Sequence, residues 1–250
     1  VKSSKFFGLA ESSSGGVVGG LLQAKDHNQR TLDFGAVNKD GKIGRYVLDK
    51  SMELKLIPNE KAWHSLHKGT AIPSRKGILE VDHASVIYLD DKGRRFRLPM
   101  NPGYLNPGSL GFGRLCREVA TERDLFNCHG TFFELPAENA GGFSMIRPVS
   151  THNLKIKDYC SYRGLFVLSG IDMTRIGTNR NIIVSDDGKA ALWVGAIDDL
   201  WSLGKPVGVG AVWKEDKVMS GKYSDPYLMT GYDKKSLLLA SSNNTKISAE

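Results

Sequence analysis

Val86-Ile87-Tyr88-Leu89-Asp90-Asp91-Lys92-Gly93-Arg94-Arg95-Phe96-Arg97-Leu98 decides the fold. An apolar run enters a polar turn that ends in glycine, and an alternating run leaves it. Glycine supplies the positive φ that a tight hairpin turn needs. The same grammar recurs on both sides. Phe34-Gly35-Ala36-Val37 leads through Asn38-Lys39-Asp40-Gly41 to Tyr46-Val47-Leu48. Ile182-Ile183-Val184 leads through Ser185-Asp186-Asp187-Gly188 to Ala191-Leu192-Trp193-Val194. The turn glycines at 41, 93 and 188 are spaced by 52 and 95 residues, which is one and two steps of about 47. A missing member belongs near 141, where Phe132–Leu135 and Phe143–Ile146 flank Glu138–Gly142. A fifth belongs near 235, where Tyr227–Thr230 and Leu237–Leu239 flank Asp233-Lys234-Lys235.

Five hairpins at this period predict an all-β fold, a β-propeller whose blades stack to bury faces that one small sheet leaves open. Hairpins are expected at 36–48, 86–98, 132–146, 182–194 and 228–239. Residues 1–30 are read as an irregular N-terminal segment, 31–240 as blades, and 241–250 as a tail or the start of a further β-module. The start at Val1 is read as a processed or trimmed N-terminus, and the polar tail as a sign that a further domain or chain completes the fold.

A chain of 250 residues with 40% hydrophobic content can build a real core. No apolar run approaches the ~18 residues of a membrane helix, so no membrane span is expected. The charge of +7 is dispersed, with Lys39, Lys42, Arg94, Arg95, Arg97, Lys155 and Lys157 beside turns, which argues against nucleic acid. Cys116, Cys128 and Cys160 form no C-x-x-C pair and lie in apolar runs, so they are expected to be free and buried.

Ala196–Pro206, Ser224–Lys235, Arg147–His152 and Tyr162–Gly170 resemble the C-terminal half of large, mostly uncharacterised β-propeller proteins of saccharolytic bacteria. The resemblance covers roughly residues 110–245. It implies an exported protein, extracellular or periplasmic, that acts in polysaccharide degradation. It carries no catalytic residue over. The expected function is a secreted glycoside hydrolase or polysaccharide lyase acting on an acidic glycan. The alternative is a non-catalytic glycan- or protein-binding propeller.

Ligand sites of propellers lie on loops and strand entries near the axis, which selects the candidates. His129 and His152 could act as general acid and base beside Glu122, because imidazole titrates near neutral pH. Arg163 and Arg147 could clamp a carboxylate with the guanidinium fork. Asp199 beside Trp201 resembles a sugar subsite, and Asp225 and Tyr227 begin the last unit. His129, His152 and Arg163 are expected to converge. Each candidate has a structural alternative: strand-capping histidines, arginine ion pairs, and Asp198-Asp199 capping a short helix. Trp63–Gly69 is an aromatic, histidine-rich loop that could line a cleft. The spacing of 23 residues between His129 and His152 matches no metal motif, and no cofactor is assigned.

Overall fold

A computed structural model describes residues 17–24, 31–58, 77–90, 92–111, 113, 115–120 and 123–248. The protein is all-β, with antiparallel sheets and only short 3-10 turns among the described residues. Sheet I contains β1 (Val17–Ala24), β2 (Leu32–Val37), β3 (Ile43–Leu48) and β4 (Leu54–Ile57). Sheet II contains β5 (Gly77–Val81), β6 (Val86–Asp90) and β7 (Arg95–Leu98). Sheet III contains β8 (Cys116–Ala120), β9 (Arg123–Cys128), β10 (Thr131–Pro136) and β11 (Arg147–Thr151). β12 (Tyr159–Tyr162) and β13 (Leu165–Leu168) open sheet IV. β14 (Ile171–Asp172) leaves it to pair with β1, and β15 (Ile182–Val184) and β16 (Ala191–Gly195) return to complete the order β12-β13-β16-β15.

Three of the expected hairpins share one turn chemistry. Asn38, Asp90 and Ser185 each stand three residues before the turn glycine and accept that glycine's N–H on their carbonyl. Their side-chain oxygens accept further N–H groups: Asp40 and Lys42 on Asn38, Lys92 and Arg94 on Asp90, Lys189 and Ala190 on Ser185. Gly41, Gly93 and Gly188 take φ of 75°, 77° and 66°. A fourth hairpin joins β10 to β11, but through 3-10 turns at Glu138–Ala140 and Gly142–Met145, so its return strand starts at Arg147.

The expected fifth hairpin is not formed. Residues 228–239 hold no strand, and Leu237, Leu238 and Leu239 are 67%, 92% and 56% exposed. An apolar run becomes a strand only where a partner edge meets it. The N-terminal expectation also changes, because β1 lies inside residues 1–30 and pairs with both β2 and β14.

The sheets stack face to face in the order II, III, IV, I. Phe126, Phe133 and Phe143 pack sheet III on Val86, Tyr88 and Leu98 of sheet II. Phe132 and Leu125 pack the other side of sheet III on Phe166, Leu168 and Trp193 of sheet IV. Leu32, Phe34 and Tyr46 of sheet I meet Val167, Leu192 and Tyr162 of sheet IV. Strands buried on both faces explain the near-continuous apolar runs of β10 and β13. Cys116, Cys128 and Cys160 are free and buried, and burial drives the Cys128 thiol strongly upward.

Residues 204–248 form a strap. It pairs Val209 with Met100, bonds the Ala211 N–H to the Ala84 carbonyl, and returns beside β7. There Arg97 bridges to Tyr227 in parallel, so residues 226–228 occupy the fourth position that sheet II's own strands leave empty. No helix among the described residues is long and apolar enough to cross a membrane.

Candidate functional site

The first strands of sheets I, III and IV meet: β12 lies beside both β8 and β1. Arg117 of β8 ties this convergence together. Its Nη1 donates to the Leu22 carbonyl at 3.0 Å, to the Tyr159 carbonyl at 3.2 Å and to the Asp158 carboxylate at 3.4 Å. Asp158 is fully buried and also accepts the N–H groups of Leu22 at 2.9 Å and Tyr159 at 2.8 Å. A buried carboxylate is tolerable only when paired and hydrogen-bonded in this way.

Beside this convergence lies an open depression lined by Glu80 and Val81 of β5 and by Gly108, Ser109, Leu110, Gly111, Gly113 and Leu115. Gly113 packs directly on the crossover from β11 to β12, since a Cβ there would stand 1.8 Å from the Lys157 carbonyl oxygen. The crossover, residues 152–158, belongs to no strand, but its burial alternates along the chain. His152, Leu154, Ile156 and Asp158 are buried, and Asn153, Lys155 and Lys157 between them are half-buried. Burial lowers the pKa of Lys155 and, against the opposing charge of Asp158, that of Lys157.

The sequence candidates fall into several places. His129 and His152 are near one another, because the His152 N–H donates to the carbonyl of Gly130. Both rings, however, are occupied by structural bonds. His129 Nδ1 accepts the Asn101 N–H at 3.1 Å and Nε2 faces the Pro107 carbonyl at 2.9 Å. His152 Nδ1 accepts the Leu154 N–H at 3.1 Å and Nε2 faces Asn127 Oδ1 at 2.8 Å. Because each Nδ1 accepts, each Nε2 carries the hydrogen and donates it. Burial pushes His152 down to about 3, so its ring is neutral near pH 7 and is no proton donor to solvent.

Arg163 does not join the histidines. It is exposed in the two-residue turn between β12 and β13, at the far end of β12 from the crossover. His129-Gly130 and Arg163-Gly164 are equivalent turns with φ of 47° and 72°, and 51° and 79°. Two consecutive positive φ values between paired strands define the type I′ hairpin. An X-Gly pair between apolar runs was the sequence signal for both, and it marks His129 and Arg163 as turn residues.

Arg147 is exposed and pairs with Glu134 across the sheet at 3.4 Å. Asp199 accepts the Ala196 N–H at 2.8 Å and so caps the 3-10 segment Ile197–Leu203, the structural alternative for this residue. Trp201 on the same segment is 70% exposed. Asp225 accepts from Arg97 at 3.0 Å and Arg95 at 3.3 Å, fixing the strap. Tyr227 is half-buried, and burial, partly offset by Arg97, raises its phenol to about 12. Glu122 and the loop Trp63–Gly69 lie outside the described residues.

Sequence reasoning missed Arg117, weighed Asp158 only as a candidate catalytic carboxylate or an arginine's ion-pair partner, and read Lys155 and Lys157 as dispersed charges beside turns, not as part of a buried crossover. Its signal was present in the period-two pattern of His152-Asn153-Leu154-Lys155-Ile156-Lys157, where apolar and polar residues alternate as on a half-buried strand. Among the described residues no cluster of His, Cys, Asp and Glu is placed to hold a metal ion. The chain matches no protein-family model, no curated protein and no solved structure.

Proposed function

We propose that this protein is an exported β-propeller of polysaccharide breakdown that recognises an acidic glycan at the convergence of β1, β8 and β12. What supports the propeller reading is the stacking of small antiparallel sheets of three to five strands, three of which bring their first strands together. The observation that carries the ligand reading is the half-buried lysine crossover against the wall of an open depression. Half-buried cations attract anions more strongly than the same charges on an open surface.

Recognition is the primary reading, because His129 and His152 are consumed by structural bonds. A lyase is the second reading, favoured by the lowered pKa of Lys157, a property of general bases. In that reaction a base takes the proton beside a uronate carboxyl. The electron pair forms a carbon–carbon double bond, and the glycosidic oxygen departs with a proton.

The test is a calorimetric screen of acidic and neutral oligosaccharides, with chromatography of each incubated mixture. Acidic chains bind, and the affinity falls as salt rises. Equal binding of neutral chains ends the acidic-glycan reading. Unsaturated uronate products establish the lyase, and intact oligosaccharide leaves recognition alone.

A further inference from the structure

We propose that Trp201 and Asp198 form a stacking site for one neutral sugar residue, on the outward face of the 3-10 segment Ile197–Leu203. The site goes beyond the acidic-glycan reading. The segment packs on β11, the edge of sheet III farthest from β8, so it lies apart from the convergence of first strands.

The period of the segment makes the pair. A 3-10 helix has three residues per turn, so side chains at i and i+3 stand one above the other. Burial follows that period. Leu200 and Leu203 are buried and Ile197 is half-buried, all against the core between sheets III and IV. Asp198 and Trp201 share the next face, and both are exposed. Asp199 and Ser202 share the third and are spent on the segment itself: Asp199 accepts the Ala196 N–H at 2.8 Å, and Ser202 Oγ donates to the Asp199 carbonyl at 2.6 Å. The carboxylate that caps the segment is therefore not the one stacked beside the indole. Asp198 has no hydrogen-bond or ion-pair partner among the described residues. Lys205, a short way along the chain, is paired with Asp233 at 2.9 Å.

The platform is held in place. Three side chains fix the segment to the core, and the Thr151 N–H donates to the Gly204 carbonyl just beyond its end at 3.3 Å. Trp193 of β16 is 3% exposed, as tryptophan commonly is, whereas Trp201 on this fixed backbone is 70% exposed. An aromatic ring already held outward costs little ordering when a ligand arrives.

Two properties select the ligand. The open indole meets the apolar C–H face of a pyranose ring. The Asp198 carboxylate only accepts, so it takes hydroxyl donors at the rim of that ring. A uronate brings a second negative charge against Asp198 and is disfavoured. A cation suits the carboxylate, but a single open ring leaves that cation hydrated, where cation–π attraction is weakest.

The experiment titrates the full chain with neutral hexasaccharides of glucose, xylose, mannose and galactose, and with N-acetylarginine amide, following the indole N–H signals by NMR. The Trp201 signal is identified by its loss in Trp201→Ala. At least one neutral hexasaccharide is expected to shift it and to leave the Trp193 signal in place. Trp201→Ala is expected to weaken that binding by about tenfold, the size of one lost aromatic stack. Trp201→Phe retains part of the affinity, and Asp198→Ala loses several-fold through the missing acceptor. Both side chains are exposed, so the thermal midpoints of these variants should hold.

No shift with any neutral hexasaccharide, or undiminished binding by the folded Trp201→Ala protein, overturns the site. A shift with the arginine derivative alone overturns it too, because the pair then serves a cation. Acidic and neutral chains are also compared on Trp201→Ala, where this site is gone, so the acidic-glycan reading stands or falls separately.

Discussion

Leu165-Phe166-Val167-Leu168 and Leu237-Leu238-Leu239 are equally apolar, yet they end in opposite environments. Leu168 is fully buried in β13 between two sheets, and Leu238 is 92% exposed in the strap. The first run has β12 on one edge and β16 on the other, and its side chains meet the cores on both faces. The second has no strand partner among the described residues. The stack of sheets, residues 17–203, is thus held by area removed from water. The strap is held by close backbone approach and a few polar ties. Gly204, Gly208, Gly210 and Gly231 lie so close to Thr151, Pro99, Ala84 and Pro148 that a Cβ would stand 2.4–2.7 Å from each neighbour. Hydrophobicity marks a segment as able to become a strand, and the presence of an edge decides whether it does.

The sharpest way to break this contrast is at the convergence of the stack. Asp158→Ala removes the counter-charge of the half-buried Arg117 and leaves the Leu22 and Tyr159 N–H groups without their acceptor, and breaking a pair of this kind costs about 3–5 kcal/mol when it is buried. Urea unfolding of the variant checks this, and a loss below about 1 kcal/mol would mean that the first strands are not joined there.

The next test stays within the stack and uses its two equivalent turns. Gly130→Ala meets Tyr104, Asn101 and the His152 carbonyl at 2.6–2.7 Å, and Gly164→Ala meets nothing within 4 Å. Both pay about 1 kcal/mol for positive φ, and Gly130→Ala adds about 1–3 kcal/mol of overpacking. Paired thermal melts should rank Gly130→Ala well below Gly164→Ala. Equal midpoints would show that the His129 turn is not packed.

His152 gives the stack a pH signature. Its folded pKa of about 3 lies below the ordinary imidazole value, so the unfolded chain binds the extra proton first as pH falls. Stability is therefore full above about pH 6.5 and declines toward pH 3, with a slope approaching 1.4 kcal/mol per unit. Between pH 7 and 5 this amounts to about 2 kcal/mol. Urea melts of the protein and of His152→Gln at both pH values isolate the contribution, and an unchanged slope in the variant would assign it elsewhere.

Effects in the strap are smaller and local. Asp225→Asn weakens both arginine contacts, and about 1 kcal/mol is expected to appear as faster amide exchange in residues 207–211 and 226–228. The rest of the molecule should keep its protection, and uniform loss would make the strap part of the cooperative stack. Leu238→Ser should move the melting midpoint least, within about 0.5 kcal/mol, because nothing covers this side chain. A larger loss would reveal a contact for it in solution.

The sequence by itself determined the turns and most of the hairpins. Asn38-x-x-Gly41, Asp90-x-x-Gly93 and Ser185-x-x-Gly188 need only their own side chains and backbone, so their geometry is legible from a few residues. The apolar runs beside them declared an all-β chain for the same local reason. Only the tertiary structure decided the rest. It made His129 a buried turn residue and left Arg163, in the same kind of turn, exposed. It set Lys155 and Lys157 in a half-buried row, filled the fourth position of sheet II with residues 226–228, and left Leu237–Leu239 unpaired. Each of these outcomes depends on which distant backbone arrives alongside. Burial and edge pairing are properties of that neighbour as much as of the residue, and local sequence does not carry them.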